Sequence, residues 1–238
     1  MQRYAIILIA GQSQRFGKED KCLTRVRGYP VAFYSFETFR RTDVFCHYFF
    51  VHRDDFQKQI LENFFQDYYS SEILSQITWV LGGKERMFSV HGALQVIHKQ
   101  FSGEAFVFIH DGARPMITDE NIHDLNVSLS VERGAVLAHR AIDTIMAVDM
   151  AENIDEKDIT VRNRRRYLER TKLWIIETPQ AFYFPQLFKN YCTALWGKRR
   201  FTDDSSIFSG TIKLVENRGL NLKITYPEDI NLFEKICS

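Results

Sequence analysis

Arg15 and Lys21, six residues apart, follow a glycine turn at the end of the first apolar run, Ala5–Ala10. A buried strand, a sharp turn and then fixed cations are how an α/β domain presents a polyphosphate site. The N–H groups of the turn cradle phosphate oxygens, and the cations neutralise them. The turn, Ala10-Gly11-Gln12-Ser13-Gln14-Arg15, is not a dinucleotide fingerprint, because Ser13 and Phe16 stand where G-x-G-x-x-G needs its second and third glycines. No G-K-[ST] follows, so it is not a Walker A loop either. Taken alone, Gly11 and Arg15 also suit a helix-opening turn with a solvated arginine, and Lys21 suits a surface position.

Further segments carry residues of the same chemical kind. Gly82-Gly83-Lys84-Glu85-Arg86-Met87-Phe88-Ser89 places two glycines after an apolar run, permitting close approach of a flat ligand, with Ser89 placed to cap a helix or bond that ligand. The same pattern describes a capped helix with a glycine turn. His110-Asp111-Gly112-Ala113-Arg114-Pro115 ends another apolar run with a carboxylate. Such an acid commonly holds Mg²⁺ and a phosphate, with the metal keeping several waters. His110 reads as a hydrogen-bonded structural histidine rather than a base, and Arg114 either faces a ligand or pairs with a carboxylate. Thr202-Asp203-Asp204-Ser205 suits a helix N-cap with acids in the first turn. Lys223, in an otherwise uncharged run, needs a partner that a phosphate would supply.

The elements that must position these residues alternate. Strands are expected at Ala5–Ala10, Phe45–Val51, Ile77–Leu81, Ala105–Ile109 and Gly134–Ala138. Helices are expected at Pro30–Arg41, at Asp54–Tyr68 with Asp54 as N-cap, at Ser89–Lys99 and at Thr118–Leu129. That alternation predicts an α/β fold, a Rossmann-like, mostly parallel mixed sheet with helices on both faces. Ligands in such sheets bind beyond the carboxyl ends of the strands, where the polar motifs fall. The residues from 141 to 172 break the pattern with an acidic part (Asp149, Glu152, Asp155, Glu156, Asp158) and a basic part (Arg162, Arg164, Arg165, Arg166, Arg170), and read as a projecting arm within a single domain, 1–238. Compact structure resumes at Leu173–Glu177 and passes a turn at Thr178-Pro179. A helix at Pro185–Leu195, strands at Thr211–Val215 and Leu222–Thr225, and a helix at Pro227–Ile236 follow.

Composition excludes several classes. With 31 Lys and Arg against 30 Asp and Glu in 238 residues, nothing global draws the chain to nucleic acid or to an acidic membrane. The arginine run at 162–170 has only Tyr167 for base stacking, so no nucleic-acid partner is expected. No apolar run approaches the ~20 residues of a spanning helix, and the first is too short for a signal-peptide core. No membrane association and a cytoplasmic location are expected. Cys22, Cys46, Cys192 and Cys237 form no zinc or disulfide pattern and read as free thiols, with a lowered pKa conceivable only for Cys22 beside Lys21.

Together, in order and spacing, these segments resemble the 2-C-methyl-D-erythritol 4-phosphate cytidylyltransferase family. The resemblance runs from Ala5 to Phe233. It includes Asp143-Thr144-Ile145, Arg170-x-x-Leu173-Trp174, Thr178-Pro179-Gln180-Ala181-Phe182 and Asn221-x-Lys223-Ile224-Thr225-x-Pro227-Glu228-Asp229. It implies a nucleotidyltransferase core and a homodimer whose arms cross. CTP would lie over Ala10, Gly11, Gly82, Gly83 and Ser89, with Arg15 and Lys21 as the catalytic cations on its phosphates. The polyol phosphate would lie near Asp111, Arg114, Thr202 and Lys223, with Thr144 and Arg170 reaching the partner's site, and Mg²⁺ as cofactor near Asp111. The nucleophile would be a phosphate monoester, whose second pKa of about 6 leaves it largely ionised at neutral pH, so no general base is required.

Four positions depart from the family pattern. Ser13 replaces the second opening glycine, the stretch from Arg15 to Lys21 is one residue short with Asp20 in place of proline, Met146 stands where lysine is common, and Gly112 replaces an alanine. Two alternatives share the fold: ribitol-5-phosphate cytidylyltransferase, which the Arg170 to Trp174 stretch disfavours, and a degenerate CTP-binding homologue, which the departures motivate.

Overall fold

The computed structural model describes residues 1–237 apart from 13, 14, 18, 102 and 149–164. Ser13 and the arm residues Asp149 to Arg164 therefore lie outside the described residues, as does the side chain of Arg165.

The chain runs β1 (Gln2–Leu8), β2 (Arg25–Val26), β3 (Tyr29–Pro30), α1 (Val31–Arg41), β4 (His47–His52), α2 (Asp55–Tyr68), α3 (Ser71–Ser75), β5 (Ile77–Leu81), α4 (Arg86–Gln100), β6 (Ala105–Asp111), α5 (Asp119–Ser128) and β7 (Gly134–Arg140). It continues with β8 (Met146–Val148), β9 (Arg165–Tyr167), β10 (Trp174–Tyr183), α6 (Phe184–Trp196), β11 (Ile212–Glu216) and α7 (Pro227–Ile236). Seven strands form one sheet in the order β11-β7-β10-β6-β1-β4-β5. β1 pairs parallel with β4 and β6, β4 with β5, and β11 with β7, while β10 runs antiparallel to both β6 and β7. The mostly parallel mixed sheet expected from the alternation is thus observed. No helix among the described residues is long and apolar enough to cross a membrane.

The sheet's apolar runs are continuous because both faces are covered. In β1 and the residue after it, Ala5, Ile7 and Ile9 face one way, into a core with Phe36 and Phe39 of α1 and Phe65 of α2. Tyr4 and Ile6 face the other way, into a core with Leu94 of α4 and Leu187 and Tyr191 of α6. The period of two puts alternate residues on opposite faces. A third, smaller cluster joins Phe16, Val26, Val31, Ile224 and Phe233, and so docks α7 against the loop that follows β1.

Three expectations are corrected. Residues 222–225 form no strand: Ile224 N–H donates to Ala113 O at 2.8 Å, an isolated main-chain link that leaves the segment as a strap across the end of β6. The segment at 202–205 opens no helix, because Asp203 accepts from Ser205 N–H at 2.9 Å and from Gln180 Nε2 at 2.6 Å, and this closes a local turn. Thr178-Pro179 lies inside β10 as a cis peptide, at a shift of register against β7 between Ile176 and Gln180. Within 141–172, Met146 pairs with Tyr167 and Val148 with Arg165 in a separate two-stranded sheet.

The chain enters the sheet centrally, adds β4 and β5 on one side and then returns to add β6 on the other. The crevice between β1 and β6 is therefore a topological switch point, with Leu8 and Asp111 as register partners at its mouth. Packing there is close: a Cβ on Gly112 would come within 2.6 Å of Ile9 Cγ2. Gly112→Ala is expected to destabilise the fold by about 1–3 kcal/mol through overpacking. Ile9→Ala, which removes the nearest of these contacts, should reduce the cost of the same change in a double-mutant cycle followed by urea unfolding.

Candidate active site

A cleft of about 690 Å³ opens at this switch point. Its walls come from the carboxyl ends of β1, β4, β5 and β6 and from the strap before α7. Of the residues singled out in the sequence, Ala10, Gly11, Arg15, Lys21, Gly82, Gly83, Ser89, Asp111 and Lys223 all line it. Arg114, Thr144, Arg170 and Thr202 do not.

The cations are held in place by the fold. Lys21 Nζ donates to Ile224 O at 2.8 Å, so the docking of α7 and its strap fixes where the ammonium sits. Burial lowers the Lys21 pKa below its ordinary value, and the nearby cations Lys223 and Arg15 push it the same way. Arg15 is exposed, with its guanidinium 5.7 Å from the centroid of the Tyr226 ring. Lys223, for which the sequence suggests a phosphate, donates here to a carboxylate, Asp111 Oδ2, at 2.7 Å.

Asp111 is the hub of the floor. Arg86 Nε approaches its Oδ1 at 3.7 Å and Arg114 Nε its Oδ2 at 3.8 Å, in addition to Lys223. Burial alone would raise its pKa, but Lys223, Arg86 and Arg114 outweigh it and hold the carboxyl well below the usual carboxylate range. Arg86 carries the chain of charge inward, donating to Asp204 Oδ2 at 2.7 Å, and the Tyr191 hydroxyl donates to the other oxygen of that fully buried carboxylate. Arg114 turns away from the cleft, donating from Nη1 to Asn221 O at 2.8 Å and so holding the strap that carries Lys223.

His110 is fully buried, with Nε2 3.1 Å from Arg114 O and Nδ1 3.2 Å from Thr178 Oγ1. Arg114 O can only accept, so Nε2 carries the proton; in the neutral ring Nδ1 then accepts from the Thr178 hydroxyl, whose oxygen also accepts from Asp111 N–H at 3.0 Å. Burial lowers its pKa to about 4, which agrees with that assignment and with a structural role.

The glycine pair provides space rather than open donors. Gly82 N–H donates to His52 O at 2.7 Å and Gly83 N–H to Ser89 Oγ at 3.1 Å. A Cβ on Gly82 would meet Ala10 Cβ at 2.6 Å, and one on Gly83 would meet Phe88 Cβ at 2.3 Å. Ser89 does not cap α4, which begins one turn earlier at Arg86; its hydroxyl ties the glycine turn to the helix instead.

Two cleft arginines carry no assigned role in the sequence. Arg86 belonged to a noticed motif without one. Arg53 belonged to none, and its signal was positional: it follows β4, the strand beside β1. All four cysteines are free, and burial pushes the Cys22 thiol up rather than down, which removes it as a reactive group.

No cluster of three or more metal-ligating side chains occurs among the described residues. The cleft's carboxylates are Asp111, already neutralised by cations, and Glu85, paired with Arg200 at 3.4 Å. That donor set does not make a preformed metal cage. It fits Mg²⁺ held chiefly by substrate phosphates with one carboxylate, the usual mode for this ion.

The sequence profile of IspD, 2-C-methyl-D-erythritol 4-phosphate cytidylyltransferase, matches residues 4–238. The chain belongs to this family. A 2-C-methyl-D-erythritol 4-phosphate cytidylyltransferase of Chlorobium phaeobacteroides is 32% identical over 251 residues, covering 100% of this chain and 94% of its own. One of Dictyoglomus thermophilum is 31% identical, covering 98% and 95%. Among solved structures, that of the Francisella tularensis 2-C-methyl-D-erythritol 4-phosphate cytidylyltransferase is similar with a TM-score of 0.76 at 26% identity, covering 99% of each chain. The fold also matches 4-diphosphocytidyl-2C-methyl-D-erythritol synthase of Anaerococcus prevotii, with a TM-score of 0.80 at 23% identity over 99% of this chain and 96% of that one.

One departure from the cytidylyltransferase pattern now has a physical account. Asp20 does not face Lys21: it points to the opposite wall, where it accepts from Arg53 Nη1 at 2.9 Å and Gln57 Nε2 at 2.6 Å. Met146 lies in β8, half exposed and away from the cleft. Thr144 and Arg170 are exposed beside it, Arg170 donating to Ile142 O at 2.9 Å.

The depressed Asp111 pKa has a defined sign. A carboxyl whose folded pKa lies below its unfolded value of about 4 stabilises fully above that value and loses the contribution as pH falls through the folded pKa. Wild type should therefore exceed Asp111→Asn in urea stability at neutral pH, with the gap shrinking toward about pH 3.

Proposed function

We propose that the cleft binds CTP and 2-C-methyl-D-erythritol 4-phosphate together and transfers CMP between them. A phosphate oxygen of the polyol phosphate attacks the α-phosphorus of CTP. The bond from the α-phosphorus to the bridging oxygen breaks, and pyrophosphate leaves with that oxygen. The products are 4-diphosphocytidyl-2-C-methyl-D-erythritol and pyrophosphate. The chain is a nucleotidyltransferase of the non-mevalonate isoprenoid route by its family. The observation that carries the reading is the convergence of Arg15, Lys21, Arg86 and Lys223 on one cleft at the switch point, with glycine-lined space beside them.

The chemistry asks for charge stabilisation and alignment of two polyanions rather than for a base. Arg15 and Lys21 meet the triphosphate, and Lys21 exchanges its carbonyl partner for a phosphate oxygen. Lys223 and Asp111 meet the polyol phosphate, and Arg114 keeps their strap in place. Ala10, Gly82 and Gly83 leave room for the base and ribose. Mg²⁺, held by phosphates and Asp111, would supply further neutralisation of the leaving pyrophosphate.

The same proposal includes a cytoplasmic homodimer. Thr144 and Arg170 lie outside their own cleft, beside exposed apolar residues at Ile142, Tyr167, Ile175 and Ile176. Burial of that face against a second copy would bring both polar residues to the partner's cleft.

Lys21→Ala should lower turnover by about 10²–10³ while the unfolding midpoint hardly moves. Near-normal pyrophosphate release from CTP, Mg²⁺ and methylerythritol phosphate would sink the assignment, and release only with ribitol phosphate would replace the substrate. Because kcat/KM reports the free enzyme, its alkaline limb should lie below the ordinary lysine pKa of about 10.4, and substitution at Lys21 should abolish that limb. A 1:1 mixture of Lys21→Ala and Arg170→Ala protomers should recover about a quarter of wild-type activity after exchange, since half the dimers are mixed and each has one intact site. No recovery would count against the shared site.

A further inference from the structure

We infer that Asp20, Gln57 and Arg53 form a tether that positions Lys21 for the transfer step. They act through the lysine, and the inference rests on Lys21 being the cation that faces the phosphates. Lys21 is anchored at both ends of its side chain. At the far end its ammonium meets Ile224 O. At the near end the main chain is held by Asp20, the residue immediately before it.

Asp20 is a carboxylate with only 8% of its side chain exposed, and every contact it makes fixes the loop. Oδ1 accepts from Cys22 N–H at 2.9 Å, closing a turn around Lys21. Its own carbonyl accepts from Leu23 N–H at 3.0 Å and Thr24 N–H at 2.9 Å. Oδ2 accepts from Gln57 Nε2 and Arg53 Nη1 on the opposite wall. A carboxylate so far removed from water needs this compensation.

Gln57 sets the geometry. It is fully buried, and its amide can be oriented only one way. Nε2 donates both to Ile9 O at 2.9 Å, just beyond β1, and to Asp20. Oε1 accepts from Arg53 N–H at 2.8 Å, just beyond β4. A flip would set oxygen against oxygen at Ile9 and N–H against N–H at Arg53. Gln57 therefore ties the lysine loop to the ends of β1 and β4, two of the four strands that frame the cleft. Its helix is itself fixed at this point, because Asp54 caps α2 by accepting from Gln57 N–H. Arg53 lines the cleft, but Asp20 holds its Nη1 at 2.9 Å and Asp54 its Nε at 2.7 Å, which assigns it to the tether.

The arrangement requires acceptors at both Asp20 oxygens. Asparagine supplies one, and its amide hydrogens would face N–H donors. Asp20→Asn thus releases the loop with almost no change in volume. A displacement of the lysine by about 1 Å is enough to lower turnover by up to 10².

The test is a double-mutant cycle in the pyrophosphate-release assay, run at high enzyme concentration on Asp20→Asn, Lys21→Ala and the pair, with cooperative thermal unfolding verified for each. Asp20→Asn should lower kcat about 10–10²-fold with the KM for CTP within about threefold. In the Lys21→Ala background it should lower kcat less than about twofold, because a residue acting through the lysine has nothing left to position. A general loss of folded protein would instead repeat its full effect in both backgrounds, and that result overturns the proposal, as does wild-type kcat in Asp20→Asn. Should Asp20→Asn not fold, Gln57→Met, which removes both Nε2 bonds, takes its place in the same cycle with the same expected outcomes. Wild-type turnover in Lys21→Ala alone would overturn the lysine's role and the tether with it, a result distinct from failure of the tether alone.

Discussion

Cations assembled for a substrate repel one another before the substrate arrives. Arg15, Lys21, Arg53, Arg86 and Lys223 all line one cleft, and the protein itself supplies counter-charges for them. The balance is local and specific. Asp111 answers Lys223, Arg86 and Arg114, and buried Asp204 answers Arg86. Asp20 and Asp54 answer Arg53. Lys21 rests on a carbonyl rather than a carboxylate, and burial lowers its pKa. A cation kept this way has the most to gain from a phosphate.

Such a charge arrangement needs a rigid base. The sheet supplies it by burying aromatic residues on both faces, with Phe36, Phe39, Phe50 and Phe65 on one and Tyr4, Phe49, Phe182 and Tyr191 on the other. Four strand ends meet at the switch point, and close contacts at Gly82 and Gly112 fix their spacing. The less regular parts, the strap at 221–225 and the lysine loop, are the ones held by specific hydrogen bonds. Asn221 donates to Glu177 Oε2 at 3.0 Å and to Thr178 O at 2.9 Å, and these bonds locate Lys223 from the middle of β10, at its shift of register. Preorganisation of this kind is where charge-stabilised catalysis draws its rate.

Much of this was legible in the chain itself. The parallel strands and the long helices follow from period-two and period-3.6 patterning, which depends on each residue's own polarity and so survives without tertiary information. Glycines and cations after predicted strand ends marked the cleft because open α/β sheets bind ligands there. The strap at 222–225 reads as a strand because Leu222-Lys223-Ile224-Thr225 alternates apolar and polar residues, whereas its pairing with Ala113 depends on where α7 docks. Ser89 misled for a related reason: a serine near a helix start reads as a cap until the helix is seen to begin at Arg86.

The sequence by itself determined the elements, the family and which residues could carry phosphate chemistry, because those rest on residue type and order. Only the tertiary structure decided which of those residues share a cleft, and what each does while it waits. Lys223 and Asp111 are 112 residues apart in sequence and 2.7 Å apart in space. Asp20, beside Lys21 in the chain, turns its carboxylate to Arg53 and Gln57 across the cleft wall. Hydrogen bonds and ion pairs act over a few ångströms and take no account of chain distance, so which partner an Asp, Arg or Gln finds is set by the fold.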